Sequence, residues 1–153
     1  MERIEVACGG IDESGRFKTE FTGRGWDISP EFTFSGIPND AKSLAVVLRD
    51  MSHPLFGEMT HWIIWDLPVM DTLPSEIARG ARPGIDDAVQ GIAYGWHRYR
   101  GPKPPKGTSH RYEFTIYAID RKLGLGPMTS YRKLRAELDG KVLGVGNVGG
   151  TFE

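Results

Sequence analysis

Several things are scarce in this 153-residue chain, and each scarcity removes a class of explanation. Cysteine is nearly missing: a lone Cys8 can form no internal disulfide, so the fold cannot depend on one. Charge of one sign is missing too. Lys+Arg 19 against Asp+Glu 20 leaves a formal net charge of −1, so no global field draws in DNA, RNA or anionic lipid. Long apolar runs are absent. The longest uncharged stretch, Val142 to Phe152, is broken by Gly144, Gly146, Gly149 and Gly150 and is too short to span a bilayer, so no membrane insertion is expected. The start MERIEVACGG has charges where a signal peptide needs an apolar core, which makes a cytoplasmic location the expectation. There is no GxxxxGK[ST], no GxGxxG after a strand, no GxSxG, no HExxH and no pair of CxxC. Nucleotide hydrolysis, dinucleotide redox chemistry, α/β-hydrolase chemistry and zinc-finger roles all lose their usual support.

What is present in excess is glycine and proline. Gly 20 and Pro 10 make up about a fifth of the chain, against roughly 12% on average. Without a low-complexity tract, that excess means many turns and hence many short strands. With 39% hydrophobic and 25% charged residues, and no linker or repeat, residues 1–153 read as a single globular domain. A domain of this length buries about 68–70% of its unfolded surface and needs no metal to fold.

Ser43–Arg49 and Trp62–Leu67 are apolar runs of strand length bounded by turn formers. In Glu113–Ile119, Phe114, Ile116 and Ala118 alternate with Thr115, Tyr117 and Ile119, a pattern that expects both faces to be covered. Weaker strand signals lie at Ile4–Cys8, Phe17–Thr22 and Glu31–Phe34, and Gly144–Phe152 reads as a closing strand. The clearest helix is Ser130–Leu138, with Thr129 or Ser130 as its cap, Pro127 before it and Gly140 after it. Met128, Tyr131, Leu134 and Leu138 give it an apolar stripe. A short helical turn is expected near Ser75–Arg79. Strands first, one helix late and no β-α-β rhythm predict a mainly β fold: a mostly antiparallel sandwich with a few peripheral helices.

Two stretches spend residues in ways a plain sandwich does not require. The first runs Arg49-Asp50-Met51-Ser52-His53-Pro54 and then Met59-Thr60-His61-Trp62, which sets Asp50 and His61 at neighbouring strand ends if the two strands pair. The second is YRGPKPPKGTSHRY, Tyr99 to Tyr112. Its prolines and glycines make a stiff loop with little entropy to lose on binding, delivering His110, Arg111 and Tyr112 to the mouth of a strand. Imidazoles and a phenol on one rim supply donors for an anion, and Asp50 would orient a ring by accepting its N–H. The competing reading is that a His or Asp at a strand end stabilises a turn or sits on the surface.

Taken together, the two stretches resemble the phosphatidylethanolamine-binding protein (PEBP) family, in its short bacterial and archaeal, Raf-kinase-inhibitor-like branch. The family's first signature, Asp-Pro-Asp-x-Pro leading to His-Trp and a strand ending in Pro, is matched by Asp50, Pro54, His61, Trp62 and Pro68. The second is matched by Tyr99, Gly101, Pro102, Pro104, Pro105, Gly107, His110, Arg111 and Tyr112. Ser29-Pro30 before FTFSGIP, YAID after the second motif and Gly150-Thr151-Phe152 agree as well, so the likeness covers nearly the whole chain. The departures are Met51, Ser52 and His53 in the first motif, Lys103 between the prolines of the second, and a Gly107–His110 segment one residue shorter than in several relatives.

The resemblance implies a β-sandwich with a large central antiparallel sheet, a smaller sheet and one or two short peripheral helices. It also implies a non-enzymatic pocket for a phosphate-like or carboxylate group, such as a phospholipid headgroup or a phosphorylated ligand, with no cofactor and no metal. Carried over residue by residue, that pocket comprises Asp50, Pro54, His61, Gly101, Pro104, His110 and Tyr112. His61 and His110 would donate to the anion, Tyr112 would be a hydroxyl contact or wall, and Asp50 a rim acceptor. Pro54, Gly101 and Pro104 would shape the cleft. Arg111, next to His110 on a strand, should point to the opposite face, and Trp62 and Trp65 should pack. Members of the family also modulate kinases or proteases by protein contact, and short members often pair as homodimers, so a protein partner and a homodimer are further expectations. The remaining alternative is a metal-assisted hydrolase using Asp50, His53, His61 and His110.

Overall fold

A computed structural model describes residues 1–52 and 59–153. The strands are β1 (Glu2–Arg3), β2 (Glu5–Cys8), β3 (Phe32–Ser35), β4 (Ser43–Asp50), β5 (Met59–Leu67), β6 (Thr72–Leu73), β7 (Val89–Gln90), β8 (His110–Ile119) and β9 (Val142–Phe152), with one α-helix, α1 (Tyr131–Leu138). They form a six-stranded sheet in the order β1-β9-β8-β4-β5-β7 and a three-stranded sheet in the order β2-β3-β6. The large sheet is antiparallel except at one edge, where β1 runs parallel to β9.

Strand alternation explains how the layers stack. Leu44, Val46 and Leu48 of β4, Trp62 and Ile64 of β5, and Phe114, Ile116 and Ala118 of β8 share one face of the large sheet. They meet Phe32 and Phe34 of β3 and Leu73 of β6 in one apolar cluster. The other residues of the same strands, Ala45, Val47, Ile63, Trp65 and Ile119, pack against Leu134 and Leu138 of α1. The central strands are therefore covered on both faces, as the unbroken Val-Val and EFTIYAI runs require. Trp62 and Trp65 both pack: each is fully buried, with Trp62 Nε1 donating to Gln90 Oε1 at 2.7 Å and Trp65 Nε1 to the Leu125 carbonyl. Gly146 lets the N-terminal strands cross β9, since a Cβ there would stand 2.5 Å from the Ile4 carbonyl oxygen.

Ser130 caps α1 by accepting from Lys133 N, and Gly140 follows in a left-handed conformation at φ 75°. Three local expectations need correction. Met128 precedes the helix and is exposed, so the buried stripe consists of Leu134 and Leu138 with half-buried Tyr131. Phe17–Thr22 is not a strand: Phe17 makes one bridge to Ile11, and Thr19–Phe21 is a 3-10 turn closed by the Thr22 hydroxyl donating to Thr19 O. Ser75–Arg79 is not helical, because Ser29 takes its backbone donors. Glu76 N bonds Ser29 O, Ile77 N bonds Ser29 Oγ, and Glu76 sits at φ 59°.

Candidate functional site

The register of the large sheet brings the motif residues together at one end. Asp50, the last residue of β4, faces Tyr112 on β8 and Met59 on β5. Asp50 and Tyr112 extend the inner row of Leu48 and Phe114, so both point towards the small-sheet side. His61 reaches that side by an irregularity. Leu48 pairs with Trp62 and Arg49 with Thr60, which leaves His61 as an extra residue in β5. Strict alternation would send His61 to the helix side. The bulge turns it inward beside Trp62, where its ring lies edge-on to Tyr112 at 5.5 Å.

A cavity of about 270 Å³ results, lined by Asp50, Met59, His61, Tyr94, Lys103, Pro104, Pro105, His110 and Tyr112. Of the sequence-predicted residues, Asp50, His61, Pro104, His110 and Tyr112 thus converge. Pro54 and His53 lie outside the described residues. Gly101 is not on the cavity wall; it is buried behind it, where a Cβ would stand 2.3 Å from the Phe21 carbonyl oxygen. Arg111 points to the opposite face of β8 and is exposed. Tyr94 and Met59 complete the lining without having been singled out as ligands. Tyr94 comes from a loop with no motif, and its ring carries the Arg100 guanidinium at 3.9 Å from its centroid.

The two histidines are each held by one nitrogen. His110 Nδ1 lies 2.7 Å from Asp50 Oδ2, a bond between buried groups, while Asp50 Oδ1 accepts from Ser52 N at 2.9 Å. Asp50 is 3% exposed, so it is an interior orienter rather than an acceptor on the rim. His61 Nδ1 lies 2.8 Å from the Arg100 carbonyl oxygen. A carboxylate or a carbonyl can only accept, so both Nδ1 atoms carry the proton. Nε2 is then the ring nitrogen left for a ligand, and it donates only when the ring is cationic. Burial pushes the His61 pKa below its ordinary value, with the Arg100 carbonyl and the Asp50 charge pulling the other way. Tyr112 is raised, first by burial and then by Asp50, so it is a neutral phenol at pH 7. Among the described residues, no three His, Cys, Asp or Glu side chains are placed to hold a metal ion.

The family model of the phosphatidylethanolamine-binding proteins matches residues 10–153. This chain belongs to that family. A UPF0098 protein of Methanothermobacter thermautotrophicus is 37% identical over 143 residues, covering 93% of this chain and 93% of the relative. The crystal structure of the Chlamydia trachomatis PEBP homologue CT736 superposes with a TM-score of 0.84 at 27% identity, covering 100% of this chain and 99% of that one. Escherichia coli YbcL, described as a new member of the mammalian PEBP family, gives a TM-score of 0.87 at 25% identity, with 99% and 98% covered. The PEBP fold of this chain is thus shared with solved relatives, and no helix among its described residues is long and apolar enough to cross a membrane.

Proposed function

We propose that the cavity binds a small anionic group, a phosphate monoester or a carboxylate, without acting on it chemically. The observation that carries this reading is the pairing of two oriented imidazoles, His110 on Asp50 and His61 on the Arg100 carbonyl, in one cavity walled by Tyr112 and Lys103. A phosphate monoester suits the tautomers. Its second pKa is about 6, so near neutrality it can donate a P–OH to one neutral Nε2 or accept from a ring that has gained a proton. Asp50 is already engaged by His110 and Ser52, which leaves the two imidazoles to face the anion. The volume takes a headgroup or a phosphorylated side chain but no acyl chain.

Calorimetric titration with inorganic phosphate, phosphoserine and phosphoethanolamine tests the reading and separates the sources of the anion. Saturable binding of one or more is expected. Removing a charge-assisted hydrogen bond costs about 1.5–3 kcal/mol, so His110→Ala should weaken binding by roughly 10- to 100-fold. Equal affinity in wild type and His110→Ala would place the binding elsewhere.

A further inference from the structure

The Arg100 carbonyl that holds His61 belongs to the same peptide group as the Gly101 N–H. That N–H donates to Asp27 Oδ1 at 2.7 Å, while Asp27 Oδ2 accepts from Arg98 Nη2 at 2.6 Å. A carboxylate therefore grips one end of a planar peptide and an imidazole grips the other. Asp27 is absent from the cavity wall, and its own backbone is left-handed at φ 57°. Such a conformation is uncommon in a residue other than glycine, though aspartate tolerates it better than most. The neighbouring backbone is fixed to the same segment. Tyr99 Oη donates to Phe21 O at 2.5 Å, Gly23 N to Pro102 O at 2.8 Å, and Arg24 Nη2 to Pro104 O.

We propose that Asp27 is a positioning residue of the cavity, fixing the orientation and tautomer of His61 through the Arg100–Gly101 peptide. An ionised acceptor on the N–H polarises the amide, which makes its carbonyl a stronger acceptor for the Nδ1–H of His61. The two histidines then have parallel supports. Asp50 holds His110 directly, and Asp27 holds His61 through one intervening peptide. The consequence for binding rests on the proposed anion site; the consequence for the His61 ring does not.

The test compares wild type with Asp27→Gly, which deletes the carboxylate while keeping a residue at ease with positive φ, and with Asp27→Asn, whose amide oxygen can still accept from Gly101. Arg98→Met, which removes the ion pair and leaves the Gly101 bond, is the control. Ring ¹⁵N shifts are read in ligand-free protein, then inorganic phosphate is titrated. In Asp27→Gly, the Gly101 amide should exchange at least about tenfold faster, and the Nε2–H tautomer of neutral His61 should become populated. Phosphate affinity should fall about three- to tenfold, with the His110 ring pattern unchanged. Asp27→Asn, which keeps an acceptor but loses the charge, should fall between wild type and Asp27→Gly in both readouts, and Arg98→Met should leave the His61 ring unaltered. An unchanged His61 ring pattern in folded Asp27→Gly overturns the proposal. If Asp27→Gly does not fold, Asp27→Ser, whose hydroxyl is too short to hold both partners, is judged by the same criteria. If wild type binds no phosphate, the anion site fails while the ring pattern still decides the role of Asp27.

Discussion

At the scale of single residues, each histidine of the cavity is held through Nδ1, His110 by Asp50 and His61 by the Arg100 carbonyl. His61 is buried among aromatic neighbours, and its lowered pKa links protonation to stability. Below about pH 6.5 the unfolded chain takes up a proton that the native ring refuses, so more protons are bound in the unfolded state. Stability then rises with pH, is fully present above the ordinary histidine value and drains away as pH falls towards the lowered native pKa. Urea unfolding between pH 7.5 and 5 should show this loss, and it should shrink in His61→Asn. A bound anion that accepts from Nε2 favours the charged ring and reverses the preference. Affinity for sulfate, whose charge does not change over this range, should therefore rise as pH falls. Gly101 acts on packing behind the wall. A methyl group there meets the Phe21 carbonyl oxygen and the Tyr99 hydroxyl, so Gly101→Ala should cost about 1–3 kcal/mol, measured as a lower urea midpoint.

At the scale of elements, irregularities in β5 do what its sequence alone does not announce. Its strand character was legible in Trp62–Leu67, and the inward rows of β4 and β8 were legible from alternation. The inward turn of His61 was not, because a bulge exists only relative to the partner strand. Tyr94 was illegible for a similar reason: it lies in a turn-rich loop and meets His61 only through tertiary folding, with ring centroids 5.3 Å apart. Asp27 is 74 residues from Gly101 in the chain, a distance no local pattern bridges. The misread Ser75–Arg79 turn has the same origin, since Ser29 supplies the bonds a helix would have made internally. A second irregularity of β5 yields a prediction. Between the pairs Leu44–Leu67 and Val46–Ile64 the register shifts, and Asp66 sits at φ 56° with its carboxylate accepting from Leu123 N at 2.7 Å and Gly124 N at 2.9 Å. Asp66→Ala leaves those donors without their acceptor and should destabilise the protein by about 1–3 kcal/mol. Asp66→Asn, which tolerates the left-handed backbone and keeps one acceptor, should lose less in the same unfolding experiment.

At the scale of the whole molecule, a net charge of −1 gives the protein no long-range field with which to gather anions, so the proposed binding rests on local geometry at one end of the large sheet. There, β4, β5 and β8 end together, the proline-rich loop closes over them, and the PEBP fold places two histidines around a cavity of about 270 Å³. The glycine and proline excess divides accordingly. Some of it reverses the chain, Gly146 admits a crossing strand, Pro104 and Pro105 line the cavity, and Gly101 permits close packing behind it. We propose that this cavity, through His61 and His110, takes a phosphate-like anion. Histidine-ring NMR during an inorganic phosphate titration tests it most directly, because His97 serves as an internal reference: its Nδ1 is held by the Gln90 carbonyl at 2.9 Å and it does not line the cavity. Saturable shifts of the His61 and His110 rings with one common Kd, and a still His97, are the predicted result. Rings of His61 and His110 that stay unmoved well above about 1 mM phosphate, or that move no more than His97, would rule out phosphate binding at this cavity.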